Sequence, residues 1–140
     1  MADPSDNAEA IVRRYFVCLD SEDWDTMRTL WLDDAELSAV GTRPRVGADA
    51  IVEYFSRIFA PWMHHTDAPT RFISSGDTIV VEVTFSGTTR DGRDVSFDAV
   101  DVFDLRDGLI ARLSNWYDIA LARRMLSEGG ESTAAAGTAS

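Results

Sequence analysis

The chain contains no lysine. All 13 of its basic residues are arginine, set against 24 acidic ones, for a formal net charge of −11. That balance excludes a phosphate-backbone partner, since nucleic-acid binding needs a clustered basic footprint, and it excludes docking on an anionic membrane surface. Cysteine is nearly absent. A lone Cys18 cannot form an internal disulfide, and no Cys-rich metal spacing exists, so a reducing cytoplasm is the expected compartment. With only two histidines, His64 and His65, a zinc site is not expected. No apolar run approaches the roughly 18 residues of a membrane span. The opening MADPSDNAEA has neither a basic n-region nor an apolar h-region, so it does not read as a signal peptide. There is no G-x-S-x-G, no Walker loop and no dinucleotide fingerprint. No cofactor and no metal are therefore expected, and an enzyme built from this chain works by acid–base chemistry alone.

What remains is an ordinary globular composition: 140 residues, 45% hydrophobic and 26% charged, the size of one domain. Residues 1–7 are polar, and residues 127–140 (SEGGESTAAAGTAS) lack periodicity. Both ends are expected to be disordered around a folded body at 8–126. In AEAIVRRYFVCLD, Ile11, Val12, Tyr15, Phe16 and Leu19 form one helical stripe, with Asp6 and Glu9 spaced as a capping pair. A short helix follows, with Trp24, Met27, Leu30 and Trp31 on one face. AELSAV reads as a short strand and GTRPRVG as a turn. A third helix runs from about Ala48 to Phe59 and stops at Pro61. The pattern then switches to period two, through a strand near Arg71–Ser74 and then DTIVVEVTFSGTT, DVSFDAVDVFDL and LIARLSNWYD, joined by Asp-Gly turns. Three helices followed by a meander give an α+β class. The expected form is a cone-shaped α+β barrel, three helices packed on a strongly curved, mostly antiparallel sheet, with a small-molecule pocket inside.

Asp101 stands out by parity. Val95, Phe97, Ala99, Asp101 and Phe103 share one strand face. A carboxyl among four apolar neighbours must be paired, hydrogen-bonded or protonated, and desolvation favours the neutral acid, a hydrogen-bond donor. Tyr15 lies on the inward stripe of the first helix, either as a core aromatic or as a phenol with a polar partner. Of the adjacent His64 and His65 only one can face a pocket; His64 is the acid–base candidate and His65 a wall or rim contact. On the last strand Leu113, Asn115 and Tyr117 share a face, opposite Ser114, Trp116 and Asp118. Asp118 either turns inward at the strand end or caps the terminal IALARRML helix.

The segments AIVRRYFVCLD, LWLDDAEL, VGTRPRVGADAI and DVFDLRDGLIARL ahead of WYD, in this order, resemble the nuclear transport factor 2-like superfamily over about Ala8–Leu126. That group includes ketosteroid isomerase, the SnoaL-like polyketide cyclases and limonene epoxide hydrolase. The resemblance implies that Tyr15 and a protonated Asp101 form an oxyanion hole. It places Ser38 where the isomerases carry their general-base aspartate, with Glu36 one step away on the same strand face as a substitute. Phe55 stands where the isomerase pattern has a tyrosine, with Tyr54 beside it. Asp118, in W-Y-D, matches the essential acid of the cyclases.

The function expected from these readings is a cofactor-free isomerase or cyclase for a hydrophobic polycyclic, polyketide-like or steroid-like molecule. Tyr15 and Asp101 would hold an enolate-type oxygen, and Asp118, Glu36 or His64 would move the proton. Ser38, Phe55, Trp62, His65, Phe85, Phe97, Phe103, Asn115, Trp116 and Tyr117 are the expected substrate contacts. The alternatives are a non-catalytic binding module and an epoxide hydrolase. A homodimer through the outer sheet face is implied by the resemblance.

Overall fold

The structure is a computed structural model that describes residues 4–128. Helix α1 covers Pro4–Ser21, opening ahead of the expected start at Ala8. Proline suits a first helical position, where its missing N–H is not needed. Asp6 therefore lies inside the helix and is not its cap. Helix α2 covers Trp24–Arg28, and Asp23 caps it by accepting the Thr26 N–H at 3.1 Å. Strands β1 (Trp31–Ala39) and β2 (Arg45–Val46) lead into α3, Ala48–Phe59, the span its 3.6-residue periodicity predicts. The rest is β3 (Trp62–Ser75), β4 (Thr78–Thr89), β5 (Asp94–Arg106), β6 (Leu109–Tyr117) and a terminal helix α4 (Ile119–Glu128). The expected disorder at residues 1–3 and 129–140 falls outside the described residues.

The six strands make one curved mixed sheet in the order β2-β1-β6-β5-β4-β3. Every pairing is antiparallel except β1 with β6. The sheet is not closed: β2 and β3 remain its edges, so the cone is an open one shut by helices and not a barrel. β5 and β6 are joined at Asp107-Gly108, both with positive φ (56° and 78°), as a two-residue hairpin turn of the twist-matching kind requires. Edge position explains how β3 tolerates Pro69, which cannot donate to a ladder on both sides; the β3–β4 register shifts between Pro69 and Arg71.

The core lies between the inner sheet face and the helices. Trp31, Met27, Phe103, Leu37 and Ile51 are fully buried there, each contributing roughly 1.5–3 kcal/mol of transfer free energy. At Gly87 on β4 a Cβ would fall 2.9 Å from the His64 carbonyl oxygen and 2.9 Å from the Trp62 ring. Only glycine lets β3 press its Trp62 indole this close to β4. None of the described helices is long and apolar enough to cross a membrane.

Candidate active site

A cavity of about 300 Å³ opens between the sheet and the helices, the lower end of the usual range for small-molecule sites. Helix α1 contributes Tyr15 and Leu19, α3 contributes Tyr54, Phe55 and Phe59, and α4 closes the mouth with Ala122 and Leu126. The sheet side is largely aromatic. Trp62 meets Phe85 edge-on at 5.0 Å, Phe85 stacks on Phe97 at 5.0 Å, and Phe97 stacks on Tyr117 at 4.8 Å. This continuous wall spans β3 to β6 and offers flat apolar area to a ring system.

Asp101 faces this cavity and is 3% exposed. Its cross-strand neighbour in β6 is Asn115, whose amide donates to Asp101 Oδ1 at 2.6 Å. Two effects oppose each other. Burial pushes the carboxyl up, the Asn115 amide favours the ionised form, and burial wins: Asp101 is raised to about 7. Tyr15, 3% exposed, sits edge-on to Phe16 and to Phe103, each at 5.0 Å. Burial, and then the field of Asp101, Asp67 and Asp20, pushes its phenol well above the ordinary value. The phenol therefore stays neutral and able to donate.

A second carboxyl lines the cavity that sequence reasoning missed: Asp67, on β3. Burial raises it well above the usual carboxylate range, with Asp101 and Asp20 adding repulsion. Its backbone N–H donates to Asp20 Oδ1 at 2.8 Å. Tyr54, on the inward stripe of the third helix beside Phe55, also lines the wall.

The structure brings Tyr15, Asp101, Asn115 and Tyr117 together, along with Phe55, Trp62, Phe85 and Phe97. It does not bring in the rest. Ala35 and Leu37 take the core face of β1, and Leu37 and Ala39 line the cavity. Strand alternation therefore sends Glu36 and Ser38 to the opposite face, where the Ser38 hydroxyl donates to Glu36 Oε2 at 3.5 Å. Neither the expected base position nor its substitute reaches the site. His64 is exposed and turned towards Ser86, Thr88 and Asp94, away from the cavity. His65 is buried but packs behind the wall, stacked on Phe59 at 4.2 Å, with Nε2 2.8 Å from Glu22 Oε2. Phe103 is fully buried beneath Tyr15 as core. Trp116 is 55% exposed on the outer sheet face, the alternate parity to Asn115 and Tyr117.

Asp118 is exposed, and its Oδ1 accepts the Leu121 N–H at 2.9 Å. That is an N-cap contact for α4. Asp118→Ala is expected to lower stability by about 1 kcal/mol in urea melts while leaving ligand affinity unchanged. A loss of affinity without a loss of stability would return Asp118 to the site.

The fold is a curved mixed sheet whose hollow face, covered by helices, carries a buried acid, a phenol and an aromatic wall. The SnoaL-like domain model matches residues 12–113, and the chain belongs to that family. Its structure is similar to that of a candidate polyketide cyclase from Xanthomonas campestris pv. campestris, at 19% identity and a TM-score of 0.79, covering 84% of this chain and 95% of that one. It is equally similar to an LEH-like epoxide hydrolase of M. tuberculosis, at 21% identity and a TM-score of 0.79, covering 91% and 94%. An NTF2-like protein of unknown function from Burkholderia pseudomallei K96243 superimposes at 20% identity with a TM-score of 0.80, covering 86% and 98%. No curated protein matches in sequence. At such identities these likenesses establish the fold, and a shared fold does not fix the reaction.

Proposed function

We propose that the protein is a cofactor-free acid–base isomerase or cyclase acting on a hydrophobic polycyclic, polyketide-like or steroid-like molecule. The observation that carries this reading is Asp101, buried on an aromatic cavity wall with a raised carboxyl and near enough to Tyr15 to push up its phenol. A base removes a proton from the carbon next to a substrate carbonyl. The C–H electrons form the new double bond, and charge moves onto the carbonyl oxygen. The Tyr15 hydroxyl and the protonated Asp101 donate to that oxygen, where donors in a low-dielectric site act most strongly. Return of the proton to another carbon completes an isomerisation; attack of the enolate carbon on a second carbonyl completes a cyclisation. Since Glu36, Asp118 and His64 face elsewhere, Asp67 is the remaining carboxyl among the described residues of the wall, and in this reading it carries the proton.

The test is binding of a hydrophobic polycyclic phenol whose absorption reports its ionisation. Wild-type protein is expected to bind the phenolate and shift its spectrum. Tyr15→Phe and Asp101→Asn should each weaken phenolate binding, and turnover of any enolisable substrate found, at least tenfold; losing one oxyanion donor typically costs about 10²–10³ in rate. Unchanged behaviour in both variants rejects the mechanism.

A second reading, a non-catalytic binder of the same ligand class, is favoured by one observation: the three groups expected to move the proton all face away from the cavity. Ligand bound with no preference for the ionised form is its signature. Epoxide hydrolysis, the activity named for the M. tuberculosis neighbour, has less support, because no arginine lines this cavity among the described residues. Incorporation of labelled water into a diol distinguishes it. The homodimer belongs to the same proposal. Val100 (36% exposed) and Trp116 (55% exposed) lie on the outer sheet face, and sedimentation equilibrium showing a monomer throughout would remove it.

A further inference from the structure

We propose that Asp20, His65 and Asp67 form a binding site for one divalent transition-metal cation at the wall of the cavity. Asp20 comes from the last turn of α1, and His65 and Asp67 from one face of β3. Their candidate ligand atoms all lie within 4.8 Å of one another.

Two orphaned atoms point to a ligand. The His65 side chain is only 2% exposed, yet its Nδ1 is buried with no hydrogen-bond partner, and so is Asp67 Oδ1. Leaving buried polar atoms unpaired costs about 1–3 kcal/mol each, a cost that a ligand taken up by both would offset. The tautomer follows from the other ring nitrogen. Nε2 lies 2.8 Å from the Glu22 carboxylate, which accepts, so in the neutral imidazole, the form that binds a metal, Nε2 carries the proton and Nδ1 presents a lone pair. An imidazole oriented by a carboxylate on its far nitrogen is the usual arrangement behind a metal-ligating histidine. Glu22 reaches His65 from a left-handed backbone (φ 55°) immediately after α1, so the helix end aims that carboxylate.

Charge points the same way. Asp20, Glu22 and Asp67 surround one imidazole, the chain has no lysine, and among the described residues no arginine pairs with Asp20 or Asp67. Burial raises both aspartates, and repulsion from Asp101 and Asp20 raises Asp67 further. A cation relieves the repulsion on Asp67 and gives the unpaired His65 and Asp67 atoms a partner. One imidazole nitrogen with two carboxylate oxygens suits zinc, manganese, iron or cobalt in the divalent state, whereas calcium and magnesium take oxygen ligands. At metal–ligand distances of about 2.1 Å the ligand atoms stand roughly 3.4 Å apart in a tetrahedral set. Asp20 is exposed at the end of α1 and gives the ion its path from solvent.

The inference goes beyond the proposed function: the ion-free chain is the form in which Asp67 moves a proton, an ion on Asp67 would block that step, and the measurement here is binding alone, with no turnover in it. The untagged full chain, stripped with EDTA and dialysed, is titrated with zinc chloride and separately with manganese chloride by calorimetry. The expected result is one equivalent of zinc or manganese per chain with low-micromolar or tighter affinity. Asp67→Asn and Asp20→Asn should each weaken it at least tenfold, and Glu22→Gln, which acts through His65, by roughly 10–100-fold. Asp20 lies at the surface, so the variant there remains informative even where a core substitution fails to fold. Asp101→Asn should retain the ion, so failure of the oxyanion pair and failure of this site are read separately. No saturable binding of either metal, or binding that Asp20→Asn and Asp67→Asn leave unchanged, overturns the proposal; the orphaned atoms then share a proton.

Discussion

Asp101→Asn is expected to make the protein more stable at alkaline pH, by about 4 kcal/mol. The wild-type carboxyl is held at about 7 in the fold and lies near 4 in the unfolded chain. Below pH 4 it is neutral in both states and costs nothing. As pH rises the unfolded chain ionises first, so stability falls steadily until pH 7; above that both states are ionised and the deficit stays constant. Asparagine keeps the shape and the acceptor for the Asn115 amide but never ionises. The gap between variant and wild type should therefore widen by about 3 kcal/mol between pH 4.5 and pH 8, or roughly 10 °C in melting temperature, read by urea or thermal melts at each pH. A gap that is flat with pH would mean that Asp101 is solvated or ion-paired, and the oxyanion reading would lose its foundation. A stabilising substitution at a group that ligand chemistry needs is the expected trade between stability and activity.

Burial periodicity decides which parts of the site were legible in the sequence. Asp101 was readable because β5 alternates cleanly: Val95, Ala99 and Phe103 are buried beside it, so a charged residue in phase with them is conspicuous. α3 was readable because its stripe Ile51, Tyr54, Phe55 and Phe59 keeps helical spacing and Pro61 stops it. On β1 the alternation was equally clear, with Ala35 and Leu37 buried. The position carried over by family resemblance fell one residue off that face, which is why Ser38 and Glu36 point outward. Where parity and resemblance disagree on a strand, parity follows from geometry that the chain cannot avoid. Asp67 was illegible for a different reason. Its strand begins WMHHTDAPTR, with no apolar alternation and a proline within it, because an edge strand is paired on one side only and half-exposed. The sole hint was the His65–Asp67 spacing, which matters only once a strand is assigned there. Long-range partners such as Glu22 and His65, 43 residues apart, leave no local trace at all.

Phenolate affinity should fall about tenfold per pH unit above pH 7 in the wild type and stay flat in Asp101→Asn. The ligand is chosen with a pKa well under 6, so that it is fully ionised throughout and only the protein titrates. Below pH 7 Asp101 is protonated and donates to the oxyanion alongside Tyr15. Above pH 7 it is a carboxylate facing another anion, and binding first requires its protonation, at a cost of about 1.4 kcal/mol per unit. Tyr15 does not blur the profile, because its phenol is pushed far above the range tested. Between pH 6 and pH 9 the wild-type dissociation constant is therefore expected to rise about 100-fold, measured by absorption titration with EDTA present so that no cation beside Asp67 shifts the midpoint. Asp101→Asn keeps a weaker neutral donor and should bind with lower but constant affinity, converging on the wild type near pH 9. Tyr15→Phe should lower affinity at every pH and keep the slope. A wild-type profile without a break near pH 7 would mean that the carboxyl does not reach the ligand, leaving an aromatic cavity that selects its occupant by shape alone.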